Sequence, residues 1–313
     1  MNHSKEVIIE THQLTKYFGS IVALDQLNLK IKSGVIALLG QNGAGKTTLL
    51  KLLLGLLRPS LGTAQVLGFD SRHESLSIRK KVGVLHEKPY FPKTFTPYRF
   101  LQLVGRIYNI SSVENRSEEV LKIVGLWNDR ERRIGHFSAG MIQRLGLAQA
   151  ILPQPQLIFL DEPTANLDPI GRVSILNLVS ELARDHGISF LISSHILADL
   201  ERVCNHMIII HQGQLLIEGS INDFFTRTKS SFITIKSFED EIETLVKGLP
   251  GVLRTCRIDN VSIEVEVKDI SVFESAFFKL VTEENIRIES FRIENNLERI
   301  YIQTIQAIEE KAD

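Results

Sequence analysis

At 313 residues, the chain is long enough for one large domain and a smaller companion. Hydrophobic residues make up 43% and charged residues 23%, an ordinary globular composition. The formal net charge of −1 excludes an overall basic field that would recruit nucleic acid or anionic lipid.

In chain order, the first segments alternate in the manner of strands: VIIE, then ALDQLNLKI, then VIALLG. The last of these runs into a glycine loop and then a leucine-rich stretch, TTLLKLLLGLL, a strand–loop–helix unit. The most apolar stretch, residues 49–57, is too short to span a bilayer and holds Lys51 and Gly55. The opening MNHSKEVIIE has no signal-peptide core, so at a membrane another chain is expected to supply the spanning part. Further on, LIFL runs into Asp161, and SFLIS runs into Ser194 and His195. Short apolar runs of this kind suit a parallel sheet covered on both faces, whose ligands bind beyond the carboxyl ends of the strands. After Gly219 the texture changes, and residues 223–230 read as a linker between a domain at 1–222 and another at 231–313. The second domain reads strand, helix, strand, strand, helix, strand, an α+β order that suits a ferredoxin-like fold, with a terminal amphipathic helix from Asn295. The two cysteines, Cys204 and Cys256, stand in no metal-ligand spacing and read as reduced, buried thiols.

Four segments carry chemistry. The first is GQNGAGKTT, with Gly40, Gln41, Asn42, Gly43, Ala44, Gly45, Lys46, Thr47 and Thr48. It fits the phosphate-loop spacing G-x-x-x-x-G-K-[ST] between a strand and a helix. Its glycines let backbone N–H groups turn onto phosphate oxygens, Lys46 charges the outer phosphates, and Thr47 offers a hydroxyl to Mg²⁺. The second is LIFLDEP. Asp161 leaves a strand end where it can hold Mg²⁺ through water, and Glu162 is suited to polarise an attacking water. Alone, these would read as two solvated carboxylates at a turn; the upstream phosphate loop changes that reading. The third is FSAGM, where Ser138 stands at a helix N-cap and Ser138, Ala139 and Gly140 form a small, open helix start fit for a phosphate. A plain cap is the local alternative. The fourth is His195 at a third strand end, fit to sense a γ-phosphate; a lone histidine is otherwise a surface or core residue.

In this order, the four segments resemble the ATP-binding cassette (ABC) ATPase over residues 6–220. The resemblance implies an α/β P-loop NTPase fold with a helical signature subdomain. It also implies ATP hydrolysis with Mg²⁺ in a head-to-tail dimer with a second copy or a paralogue. Each nucleotide would then lie between the phosphate loop of one subunit and Ser138–Gly140 of the other. By the same resemblance Tyr17 stacks on adenine, Asp168 of ANLD belongs to the loop that crosses the dimer interface, and His195 is the switch histidine. Two positions depart from the family pattern. The signature LSGGQ reads FSAGM, with Ala139 and Met141 in place of glycine and glutamine. Glu87, in VGVLHEKPYF, stands where a glutamine that contacts Mg²⁺ is frequent. Glutamate there, with a C-terminal α+β domain, resembles the ABC-2 exporter branch. That likeness implies a separate membrane permease as partner, a place at the cytoplasmic face of the cell membrane, and no nucleic acid. Tyr90 and Phe91 fall where the groove for a permease helix is expected. A soluble ATPase acting on DNA or ribosomes fits less well, because the chain has one cassette and no heptad run. A non-catalytic ATP-binding module fits less well because Lys46, Asp161, Glu162 and His195 occur together.

Overall fold

A computed structural model describes residues 6–194, 196–221, 231–239 and 241–293. The chain divides into two compact units, Met1–Ile221 and Asn222–Asp313. The expected linker at 223–230, the terminal helix from Asn295 and His195 lie outside the described residues.

The first unit holds two sheets. Strands β1 (Val7–Phe18), β2 (Ile21–Lys32), β4 (Leu61–Val66) and β5 (Phe69–Asp70) form an antiparallel sheet in the order β2-β1-β4-β5. Strands β3 (Val35–Leu39), β6 (Val82–Leu85), β7 (Leu157–Asp161), β8 (Ser189–Ser193), β9 (His206–His211) and β10 (Gln214–Ser220) form the second, in the order β10-β9-β3-β8-β7-β6. From β9 to β6 this sheet is parallel. Its central strands read as unbroken apolar runs because both faces are covered: every residue of β3 and β8 is buried. Helix α1 (Lys46–Leu53) links the two sheets, since Leu49 and Leu53 share one core with Leu24 and Leu27 of β2 and with Leu38, Phe159 and Leu191 of the parallel sheet. Each such side chain stabilises the fold by roughly 1.5–3 kcal/mol on burial.

Helix α1 is shorter than its leucine run. Gly55 turns the chain with φ 64°, and a Cβ there would lie 2.4 Å from Ser71 O. This left-handed turn after the last helical residues ends the helix despite the apolar residues that follow. Helix α2 (Ser75–Lys81) then leads into β6. Helices α3 (Pro97–Ile107), α4 (Val113–Ile123) and α5 (Ala139–Ile151) pack on one another, and α5 also packs on β6. Phe91 is core rather than groove lining, with its ring edge-on to Phe100 at 5.1 Å, whereas Tyr90 is exposed. Helices α6 (Pro169–His186) and α7 (Leu197–Val203) follow β7 and β8. Cys204 is buried, and burial pushes its thiol well above its ordinary value.

The second unit contains β11 (Ser231–Ser237), α8 (Ile242–Lys247), β12 (Val252–Arg257), β13 (Ser262–Val267), α9 (Ile270–Glu283) and β14 (Ile288–Ile293). Its sheet order, β12-β13-β11-β14, is antiparallel throughout, the ferredoxin-like arrangement of a β-α-β-β-α-β chain. Ile233, Ile235, Ile263 and Val265 alternate onto the face that Phe273 and Phe277 of α9 cover. Cys256 departs from the sequence reading: it is exposed, because it pairs with Glu264 on the face of the sheet opposite Ile263 and Val265. Among the described residues no helix is long and apolar enough to cross a membrane.

Candidate functional site

The phosphate loop runs from the end of β3 into α1. Gly40 has no room for a side chain, since a Cβ would lie 2.4 Å from Ile210 O and 2.9 Å from Ala44 Cβ. Gly45 is required twice over. Its φ is 108°, and a Cβ would meet Ala23 O and Leu24 Cδ2 at 2.6 Å. Gly43 has φ 84° and open space around it. Within the loop, Ala44 N–H donates to Gln41 O at 3.1 Å, and Ala44 O accepts from Gly213 N at 3.1 Å. Lys46 opens α1 and is buried. Its ammonium donates to Gly40 O at 2.6 Å and to Gln41 O at 3.3 Å. Burial lowers its pKa, and the nearby charges of Glu162 and Asp161 partly oppose that. Thr47 is exposed and Thr48 half-buried in the first turn, beside the positive end of the helix.

Sheet register brings the acidic residues to this loop. Leu38 of β3 pairs with Ser193 of β8, and Ser193 pairs with Asp161 of β7. The carboxyl ends of three neighbouring parallel strands therefore carry the phosphate loop, a serine hydroxyl and a carboxylate side by side. Ser193 Oγ donates to Asp161 Oδ1 at 2.6 Å. Glu162 N–H donates to Ser193 O at 3.0 Å, with Ser193 Oγ at 3.2 Å. Glu162 has φ 49°, a conformation uncommon for a non-glycine residue and one kept where surrounding bonds impose it. Ala165 N–H turns back onto Glu162 O at 3.1 Å, and buried Pro163 and Thr164 hold the exit.

This cluster can hold a polyphosphate on backbone N–H groups and one ammonium. Among the described residues, no group of three or more His, Cys, Asp or Glu side chains could cage a metal. Thr47 and Asp161 instead offer a hydroxyl and one carboxylate. That donor set fits magnesium, which takes its remaining ligands from phosphates and water. Glu87 lies two residues past β6, exposed, with its carboxylate 3.7 Å from Lys88 Nζ. Its backbone carbonyl accepts from Nε2 of buried Gln143 on α5 at 3.4 Å.

The signature segment stands elsewhere on the unit. Ser138 caps α5, and its Oγ accepts from Met141 N–H at 3.3 Å. Ala139 is the first helical residue and has no positive φ, so the alanine costs the backbone nothing. A Cβ on Gly140 would meet nothing within 4 Å, so the folded chain itself does not demand glycine there. Helix α5 packs on β6, three strands from β3 and hence roughly 14 Å across the sheet. Asp168 caps α6, accepting from Gly171 N–H at 2.6 Å, and this local bond explains the residue in part. Tyr17 and Phe18 are both exposed at the β1–β2 turn, and Lys16 Nζ lies 5.1 Å from the Phe18 ring centre.

Sequence reasoning missed Ser193, whose only signal was its place at a strand end, and Phe18, whose signal was its place next to Tyr17. It also missed Gln143.

The same architecture is found in known proteins. A family model described as ABC transporter matches residues 24–165. The bacitracin transport ATP-binding protein BcrA of Bacillus licheniformis is 42% identical over 212 residues, covering 67% of this chain and 69% of that protein. BcrA of Enterococcus faecalis is 36% identical over 225 residues, covering 72% and 73%. Among solved structures, cbiO1 from Clostridium perfringens, part of the ABC transporter complex cbiONQ, matches with a TM-score of 0.65. It is 26% identical, and the match covers 71% of this chain and 92% of that one. The chain belongs to the ABC transporter family, as an ATP-binding subunit that hydrolyses ATP in work with membrane permease subunits.

Proposed function

We propose that this chain powers an exporter of the ABC-2 type, working as a head-to-tail dimer at the cytoplasmic face of the membrane. The observation that carries the two-subunit reading is the open face at Gly140. The start of α5 keeps a side-chain-free surface that its own fold does not use, on a helix that packs against β6, three strands from the strand that leads into the phosphate loop. Such a surface suits the phosphates of a nucleotide held by another subunit. In this reading Thr47, Asp161 and Glu87 would hold Mg²⁺, and the ion would neutralise charge on the phosphates. Lys46 and the loop amides hold the β- and γ-phosphates. Glu162 orients the attacking water and takes its proton, Tyr17 stacks on adenine, and His195 senses the γ-phosphate. ATP touches both subunits only when they are closed, so its binding shifts the pair to the closed state and its hydrolysis releases it.

Export is supported by the likeness to the two bacitracin transport proteins. It is also supported by the second, ferredoxin-like unit, which we read as an accessory domain that steadies the dimer. Purification of the tagged chain from solubilised membranes tests the partner. Co-purification of a multi-span membrane protein, whose vesicles extrude cargo on ATP addition, is expected. Recovery with ribosomes and with no membrane protein would refute it.

A further inference from the structure

The loop leaving β7 carries Glu162 at its start and Asp168 at its end. Its start is tied to β8 by the Glu162 N–H on Ser193 O. Its end is tied to the helix that follows β8. Arg172, in the first turn of α6, meets Asp199 of α7 in a two-pronged ion pair, Nε to Oδ2 at 3.2 Å and Nη2 to Oδ1 at 2.8 Å. The Asp199 side chain is 9% exposed and that of Arg172 28%. On the other flank, Arg144 of α5 donates to Ser174 Oγ at 2.5 Å and to Val124 O at 2.5 Å. The opening turns of α6 are thus gripped by an arginine contact on each side.

Helix capping does not account for the Arg172–Asp199 bridge, because Asp168 already caps α6. Nor is it an ordinary surface pair, which holds little in place. Its planar, bidentate geometry fixes direction as well as distance. It bears on a loop whose first residue has φ 49°, a conformation that the surrounding structure must impose. We propose that Arg172 and Asp199 are positioning residues for ATP hydrolysis: their bridge anchors the far end of the loop so that Glu162 keeps its aim at the attacking water. This inference rests on the reading of Glu162 as the base.

The test is steady-state hydrolysis by the full chain, with Arg172→Ala, Arg172→Lys, Asp199→Asn and the exchanged pair Arg172→Asp/Asp199→Arg. Glu162→Gln serves as the control. Trinitrophenyl-ATP binding and thermal melting are measured on each protein. Misplacement of the base by a fraction of an ångström lowers kcat by roughly 10- to 100-fold. The expected result is that loss in Arg172→Ala and Asp199→Asn with nucleotide affinity unchanged, a smaller loss in Arg172→Lys, and recovery in the exchanged pair. Unaltered kcat in Arg172→Ala would overturn the proposal. So would a parallel loss of nucleotide binding and melting temperature without recovery in the exchanged pair, which marks a merely structural bridge. Normal turnover in Glu162→Gln would instead overturn the role of Glu162, whatever the Arg172 variants do.

Discussion

Ser193 Oγ donates to Asp161 Oδ1 over 2.6 Å, while the Ser193 carbonyl accepts the N–H of Glu162 at 3.0 Å. One residue of β8 thus holds the Asp161 carboxylate at the end of β7 and the backbone of Glu162 just after it. Removal of its hydroxyl by Ser193→Ala frees the Asp161 carboxylate to rotate. Loss of such an outer hydrogen bond lowers metal affinity or activity by roughly 10- to 100-fold. The expected outcome is a raised Mg²⁺ requirement for hydrolysis with ATP affinity little changed, read from magnesium titrations of turnover.

Lys46 gives a prediction with a definite sign in pH. Burial lowers its pKa below the ordinary 10.5, so the unfolded chain holds this proton more tightly than the folded one. Below the lowered value both states are protonated and the burial penalty is complete. Between the lowered value and 10.5 the folded state loses its proton first, so the Lys46 contribution to stability improves as pH rises. ATP affinity moves the other way over the same window, because the ammonium that meets the phosphates is lost. Denaturation and nucleotide titrations of wild type against Lys46→Met across alkaline pH check both slopes; the variant should show neither and should bind ATP poorly at every pH.

Gly140→Asp separates folding from function. Beyond its chain neighbours and its own helix backbone, nothing lies within 4 Å of the position where a Cβ would stand, and a carboxylate in the first turn of α5 favours the helix dipole. Melting temperature should therefore hold or rise slightly. Turnover should fall by roughly 10²-fold or more, because the new charge faces a phosphate. Normal turnover in this variant would remove the signature segment from the nucleotide site.

Tyr17 and Phe18 are both exposed, but the Phe18 ring already has Lys16 Nζ at 5.1 Å. Tyr17→Ala is expected to weaken ATP binding by about 1–3 kcal/mol, the range for one aromatic stacked on a base. Phe18→Ala should do less, and neither should disturb folding. Fluorescence titration with ATP, with GTP as the comparison, reads the difference.

The parts of the site legible in the sequence are those whose physics is local. The glycines at 40 and 45 are forced by close contacts and a left-handed turn, and a nine-residue motif carries that constraint whole. The ferredoxin-like unit was legible because its strands alternate cleanly, Ile233 and Ile235 in and Thr234 out. What escaped depends on strand register and helix packing. Ser193 reaches Asp161 across 32 residues, and Arg172 reaches Asp199 across 27. No spacing rule joins such pairs until the sheet order is known. The exposed Cys256 escaped for the same reason, since only the register with Glu264 sets its face of the sheet. The end of α1 was obscured by leucines on both sides of Gly55, where backbone conformation overrides apolar pattern.

The most direct test of the two-subunit ATPase is Glu162→Gln with Mg²⁺ and ATP, followed by light scattering on a sizing column and by phosphate release. The variant keeps the phosphate loop and the open α5 face and loses only the base. The account expects phosphate release to fall to background while the mass doubles in ATP and returns to that of one chain when ATP is removed. Undiminished phosphate release, or a single-chain mass at saturating ATP, would contradict it.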